Sequence, residues 1–494
     1  MTRATAATLT ALVAAMFLAT TAPAATWTDL AGDDNWSDAG NWDPGVPGSG
    51  DTATFDSSGA SPATVNSSQH VNKVELNNGA PFTIDGTASL TVNSAGWEVL
   101  DAFTYTVTAP VTLNGPHTWD VAAGGTLDIQ NWNNKDGGVT TYTKTGAGKL
   151  LLDINDPGFH DLAIDAGTLD LDPHGDTRVI TIGDEATADT ATLNLLTNYT
   201  INDGLNVHET GVVNVGTNRL TFGSDIVMTG GTINVDAGGD LRANGNPVVF
   251  EYNATANGGQ AIIQGDGVVD MQGNSVTIRT FDIADNASID QDMVIFSKVT
   301  ASNTPQELNK IGAGTLVFEG DNDYGMPTNI TAGTLLVNGT TSGQGLYTID
   351  NGATLGGTGT IDAPVLANAG GILAPGASIG TLNVTKNDVD LTDAILGVEI
   401  DGGLADLLSV DDGGLDLTNI EVNVGELTAP TATEYLIATA TEGITLAGYT
   451  VTGDGNWGLQ LRSDDTELFL VPEPATLALL GLGGAMMIGR RRRA

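Results

Sequence analysis

KTGAGKLLLDINDPGFHDLAIDAGTLDL, residues 144–171, has a second copy in the same chain: KIGAGTLVFEGDNDYGMPTNITAGTLLV, residues 310–337. The two align without a gap at their key positions. Each runs Gly-Ala-Gly, then alternating apolar residues, then a polar turn with Asp or Asn and Pro, then a second glycine-led strand. The step from the first strand to the second is identical in both copies, from Gly148 to Gly167 and from Gly314 to Gly333. Alternation of apolar and polar residues suits a strand with one buried face. A glycine ahead of each strand permits a corner that other residues resist.

Weaker copies of the Gly-x-apolar-x-apolar signature begin at Gly125, Gly211, Gly231 and Gly380. A fixed period of roughly 20 residues marks a stacked repeat. One rung cannot bury its apolar face alone, but stacked rungs share a continuous core. The expected fold is all-β, a right-handed parallel β-helix or related β-solenoid, with an array of β-sandwiches as the alternative. At about 20 to 24 residues per turn, residues 26–385 give roughly 15 to 18 rungs. A spacing of about 4.8 Å per rung makes a rod on the order of 70 to 85 Å long.

Composition narrows the function. Sixty Asp and Glu against 17 Lys and Arg leave a net charge of −43, which excludes nucleic acid as a partner. Forty-six of the 60 acids are Asp, the better turn former. Cysteine is absent, so neither a disulfide nor a thiolate site exists.

Both ends read as addresses. Arg3, the apolar run 11–19 and Ala22-Pro23-Ala24 form a signal peptide, with cleavage by signal peptidase near Ala24 or Ala25. At the other end, residues 475–489 are an uncharged run of 15 followed by Arg490, Arg491, Arg492 and Arg493. As a helix this run spans roughly 22 Å, a marginal crossing of a hydrocarbon core of about 30 Å. The arginines would stay on the cytoplasmic side after export.

Pro472-Glu473-Pro474, the short apolar helix and the arginine cluster together resemble the PEP-CTERM sorting signal of Gram-negative bacteria. The resemblance implies transient anchoring in the inner membrane through residues 475–489. It further implies processing by an exosortase-type enzyme that reads Pro472, Glu473 and Pro474. Release to the outer surface or the extracellular polysaccharide matrix would follow. KTGAGKL and KIGAGTL, each with its later AGTL, resemble the autotransporter-associated β-strand repeat of bacterial surface proteins. Residues 371–384 and 401–417 resemble the terminal rung and following β segment of such passengers. No membrane β-barrel follows them in this sequence, and the sorting tail takes over its role.

Several constellations bear on chemistry. Gly376-Ala377-Ser378-Ile379-Gly380 matches G-x-S-x-G, but Pro375 precedes it and a strand pattern follows, so a corner between rungs is the expectation. Gly146-Ala147-Gly148-Lys149 lacks the spacing of a phosphate loop, and Lys149 reads as solvent-facing. His70, His117, His160, His174 and His208 are scattered. Asp321 and Asp323, two apart in a glycine turn, are the sole calcium candidates, without the distal Glu of an EF-hand. No other cofactor is implied. Trp27, Trp36 and Trp42 crowd the N-terminus, as a cap over the first rung or as a sugar-stacking platform.

The expected organisation is a signal peptide (1–25), a Trp-rich cap (26–60), solenoid repeats (61–385), a C-terminal β segment (386–470) and a sorting signal (471–494). The expected function is a non-enzymatic structural or adhesion protein of the cell surface or matrix, with extracellular polysaccharide as a partner. The alternative is a polysaccharide-acting β-helix lyase or hydrolase, or a carbohydrate-binding surface protein. Outside the signal and the tail only 12 Lys and Arg remain, dispersed, and an acidic rod repels an anionic uronate substrate.

Overall fold

The computed structural model describes residues 23–473, apart from residues 60, 133–139, 155–160, 174–176, 185–187, 246, 256–257, 273–277 and 302–305. Most of the signal peptide, Pro474, the apolar run and Arg490 to Arg493 therefore lie outside the described residues.

Within them the chain is a parallel β-solenoid of the right-handed type. Strands of successive turns pair in parallel along three faces. On the first face Ala24–Trp27 pairs with Thr52–Asp56, which pairs with Gln69–Asn77. The stack continues to Leu415–Asp416 and Ile444–Thr445. The second face runs from Ala63–Val65 and Phe82–Gly86 to Ile420–Thr428 and Tyr449–Gly453. The third includes Arg219–Phe222, Asp240–Ala243, Val268–Asp270 and Lys298–Thr300. Tyr199–Val207 turns a corner: its residues 199–201 pair on the third face and 204–207 on the first. A sandwich array would need facing antiparallel sheets, and this ladder excludes it.

Alternation dictates which side chains enter the core. In Ala191–Leu195 the first, third and fifth residues are buried and the others are not. Aromatic rings stack along the interior, with Phe222 to Phe250 at 5.6 Å and Phe250 to Phe281 at 4.9 Å between centroids. Among the described residues the one helical element is the 3-10 turn Ala39–Asn41.

The period is less regular than expected. Thr315 stacks on Thr334 and Thr334 on Thr354, two turns of nearly equal length. Yet the turn from Tyr347 to Val365 is shorter, and the turn from Ala261 to Met293 is much longer. Strands keep their stacking because pairing demands it, while corners absorb insertions. The stack also crosses residue 385 without a break, since Thr381–Thr385 pairs with Leu407–Asp411.

The N-terminal end is closed, and at the C-terminal end one of the three stacks is extended by antiparallel strands. Ala24–Trp27 is covered on its outer edge by antiparallel Trp42–Asp43. Trp27, Trp36 and Trp42 are 0%, 0% and 4% exposed and pack with Phe55, at ring distances from 4.9 Å to 6.2 Å. Their faces are spent on one another, so none is open to stack on a pyranose ring. At the far end Glu467–Pro472 lies between Tyr435–Ala440 and Trp457–Arg462, antiparallel to both.

Candidate functional site

The Gly-Ala-Gly repeat is built around a buried ammonium. Tyr142 and Lys144 alternate inward on Thr141–Thr145, as do Leu308 and Lys310 on Glu307–Ile311, and the two lysines are 1% and 0% exposed. Lys144 Nζ donates to the carbonyls of Thr145 (2.6 Å), Gly146 (2.6 Å) and Ala166 (3.1 Å). Lys310 Nζ donates to Ile311 (2.9 Å), Gly312 (3.0 Å) and Ala332 (3.1 Å). Three acceptors match the three protons of an ammonium. Burial pushes both lysines down to about 8, opposed by Asp120 at Lys144 and by Asp282 and Asp292 at Lys310. Both remain charged at neutral pH.

The glycines complete the knot. Gly333 has φ +65°, and a Cβ there would lie 2.5 Å from the carbonyl oxygens of Gly312 and Gly314. Gly167, with φ +74°, is crowded by Gly146 and Gly148 in the same way. Arg279 is a third buried cation, donating to Gly245 O (2.9 Å) and Ile278 O (3.3 Å), with burial pushing it down to about 10. These cations tie corners, and their burial leaves none of them facing a substrate. Lys149, by contrast, is partly exposed and pairs with Asp170 at 2.5 Å.

The outward face of the second sheet carries an amide ladder. Asn194 donates to Asp170, Asn214 to Asn194 and Asn234 to Asn214, each at 2.7 Å, and Gln264 to Asn234 at 2.9 Å. On the third face Asp240 accepts from Arg219 (2.9 Å) and Arg242 (2.5 Å), and Arg242 also reaches Asp270 (3.1 Å). Carboxylates on that face are thus partly neutralised by neighbours on the same strand or one turn away.

A groove of about 580 Å³ runs across the second face. Leu336, Ala374, Gly397, Asp290, Ser378 and Glu399 are among the residues that line it. Ser378 lies in the corner between Ile372–Pro375 and Thr381–Thr385, and no helix follows it. Asp406, 2% exposed, accepts from the N–H groups of Gly380 (2.9 Å) and Glu399 (2.7 Å). Burial raises its carboxyl to about 6, against the pull of those two donors. Among the described residues, no histidine, lysine or arginine lines this groove, so Ser378 has no imidazole or amine beside it to activate it.

The other sequence candidates are dispersed. Asp323 pairs with Lys298 at 2.6 Å, which holds its carboxyl below the usual range despite some burial. Asp321 is exposed, and buried Asn322 separates the two. Among the described residues no three His, Cys, Asp or Glu side chains gather as metal ligands. His70 contacts Asn93 (2.8 Å), His208 contacts Thr229 (3.1 Å), and His117 is buried beside Trp119 and Tyr142. His160 and His174 fall outside the described residues. Ala24 and Ala25 open the first strand, and Ala25 is buried. Pro472 ends Glu467–Pro472 opposite Trp457, and Glu473 N–H donates to Asn456 O at 2.9 Å.

Comparison with known proteins adds identity to this geometry. A 148-residue stretch, 28% of this chain, is 32% identical to an extracellular serine protease of Serratia marcescens and covers 14% of that protein. A 67-residue stretch, 13% of this chain, is 43% identical to the adhesin BmaC autotransporter of Brucella suis biovar 1 and covers 2% of it. The chain thus spans a small part of either relative. Two family matches are local: passenger-associated-transport-repeat over residues 308–337, and PEP-CTERM protein-sorting motif over residues 470–493. The first encloses Lys310 and its carbonyl cage, and the second begins inside the last strand. The chain therefore joins a β-solenoid rung similar to the autotransporter passenger repeat to a C-terminus similar to the PEP-CTERM sorting motif, the combination of an exported cell-surface protein.

Proposed function

We propose that this protein is a non-enzymatic structural or adhesion rod of the cell surface or extracellular matrix. Pro472, Glu473 and Pro474 are the residues a processing enzyme of exosortase type reads, and residues 475–489 with Arg490 to Arg493 hold the chain transiently in the inner membrane. The observation that carries this reading is the joining of a passenger-type rod to a sorting motif at residues 470–493. The rod then works by presenting outward rows of Thr, Asn and Asp for weak, repeated contacts with extracellular polysaccharide. Many such contacts along one rigid body give avidity without a tight single site. The adhesin relative supports this role.

The test is fractionation of the source bacterium carrying the native chain or a chain in which Arg490 to Arg493 are replaced by Ser. The native protein is expected at the surface or in the medium with its tail shortened, and the variant is expected to lose that sorting. Native protein found intact in the inner membrane overturns the sorting reading. Incubation with the organism's own exopolysaccharide is expected to show binding without new reducing ends. Their appearance would establish the enzyme reading instead.

A further inference from the structure

We infer that Pro472 and Glu473, the first residues of the Pro-Glu-Pro signature, are structural parts of the rod's end cap, so that processing cuts the chain beyond Glu473 and leaves both on the mature protein. This rests on the processing reading above and adds to it the upstream limit of the cut.

Three observations carry it. Glu467–Pro472 is the central strand of a three-stranded antiparallel unit: residues 467–470 pair with Tyr435–Ala440 on one edge, and the whole strand pairs with Trp457–Arg462 on the other. Its alternate side chains are core, with Leu468 and Leu470 both 0% exposed. The closing end is fastened as well. Trp457, opposite Pro472, is 8% exposed, lies edge-on to Tyr435 at 5.7 Å, and donates Nε1–H to Glu426 at 3.2 Å. Among the described residues, the backbone hydrogen bonds of the cap run as far as Glu473, whose N–H donates to Asn456 O.

A processing enzyme binds its substrate as an extended chain, using backbone groups that this strand has already committed, on both edges over residues 467–470 and on one edge at residues 471 and 472. Cleavage within residues 467–472 would require the cap to open first. It would also remove two core leucines and expose the end of the stack, where unpaired strand edges invite association. Both costs attach to the described strand and its closing hydrogen bond at Glu473. The cap thus acts as a ruler: the folded rod sets where the sorting segment begins.

Two measurements test this. Purified full-length protein in detergent is digested lightly with thermolysin and the stable core is weighed. A core ending at or beyond Glu473 is expected; one ending at residue 472 or earlier overturns the inference. Trp457→Ala should move that end to residue 466 or before, and if this variant fails to fold, the wild-type mass alone decides. The C-terminus of mature protein from cells is then read by mass. An end at or beyond Glu473 supports the inference, and an end at or before Pro472 overturns it. An intact Ala494 overturns the processing reading, and with it the cut, while the thermolysin core still decides whether the cap includes Glu473.

Discussion

Lys144 and Lys310, far apart in the chain, each close on the same three acceptors: the carbonyls one and two residues ahead and the carbonyl before the next Gly-Thr-Leu strand. Lys310→Met keeps the apolar stem and abandons three buried carbonyls. A loss of about 3 kcal/mol is expected from charge-assisted bonds and unsatisfied acceptors. Urea unfolding measures it, and Lys144→Met should add independently because the sites share no partner. Lys149→Met should cost less than loss of either cage lysine, because Asp170, though buried, keeps the Asn194 amide as a donor.

Gly333 and Gly352 both have positive φ, +65° and +76°, but differ in surroundings. The first is closed in by two carbonyl oxygens, and the second has nothing within 4 Å of a Cβ. Gly352→Ala is expected to cost about 1 kcal/mol of backbone strain. Gly333→Ala adds a clash inside the Lys310 cage and should cost at least about 3 kcal/mol. Equal losses in thermal unfolding would contradict the cage geometry.

Asp406 makes the fold pH-dependent in a stated direction. Its carboxyl is raised from 3.8 to about 6 by burial, so between those values the folded chain holds a proton that the unfolded chain has released. Stability from this group is therefore greatest at low pH and falls as pH rises from about 4 to 6, by about 2 to 3 kcal/mol. Comparison of Asp406→Asn with the native chain across pH 4 to 7 isolates it from the rod's general carboxylate repulsion. The variant should lack that slope.

Trp42→Ala removes a side chain 4% exposed whose Nε1–H donates to Trp36 O at 2.7 Å. A loss of about 3 to 5 kcal/mol is expected in urea. Light scattering should rise as well, because the uncovered strand edge can pair between molecules.

The stacking was legible because the GAG and AGTL segments fix both the strand alternation and the corner glycines. The inward lysines were not legible. In TYTKT, alternation from Tyr142 puts Lys144 on the core side, but its charge argues for solvent, and only the three carbonyls that the folded corner brings together resolve the conflict. The groove was not legible, because Asp290, Leu336, Ser378 and Asp406 meet only through the register of several turns. The irregular period escaped for a related reason: corners such as the one between Ala261 and Met293 take insertions without altering which strands touch. The role of Pro472 and Glu473 in the cap was hidden by a motif that reads as an address.

The last strand also determines how the rod bears load. A pull on the C-terminus runs along Glu467–Pro472, which is flanked on both sides by antiparallel neighbours. A strand in this place has pairings to break on two sides over residues 467–470, where an edge strand would have one. A rod held by its C-terminus would let go only when this end unfolds, so the unfolding rate of these three strands would set how long the hold lasts.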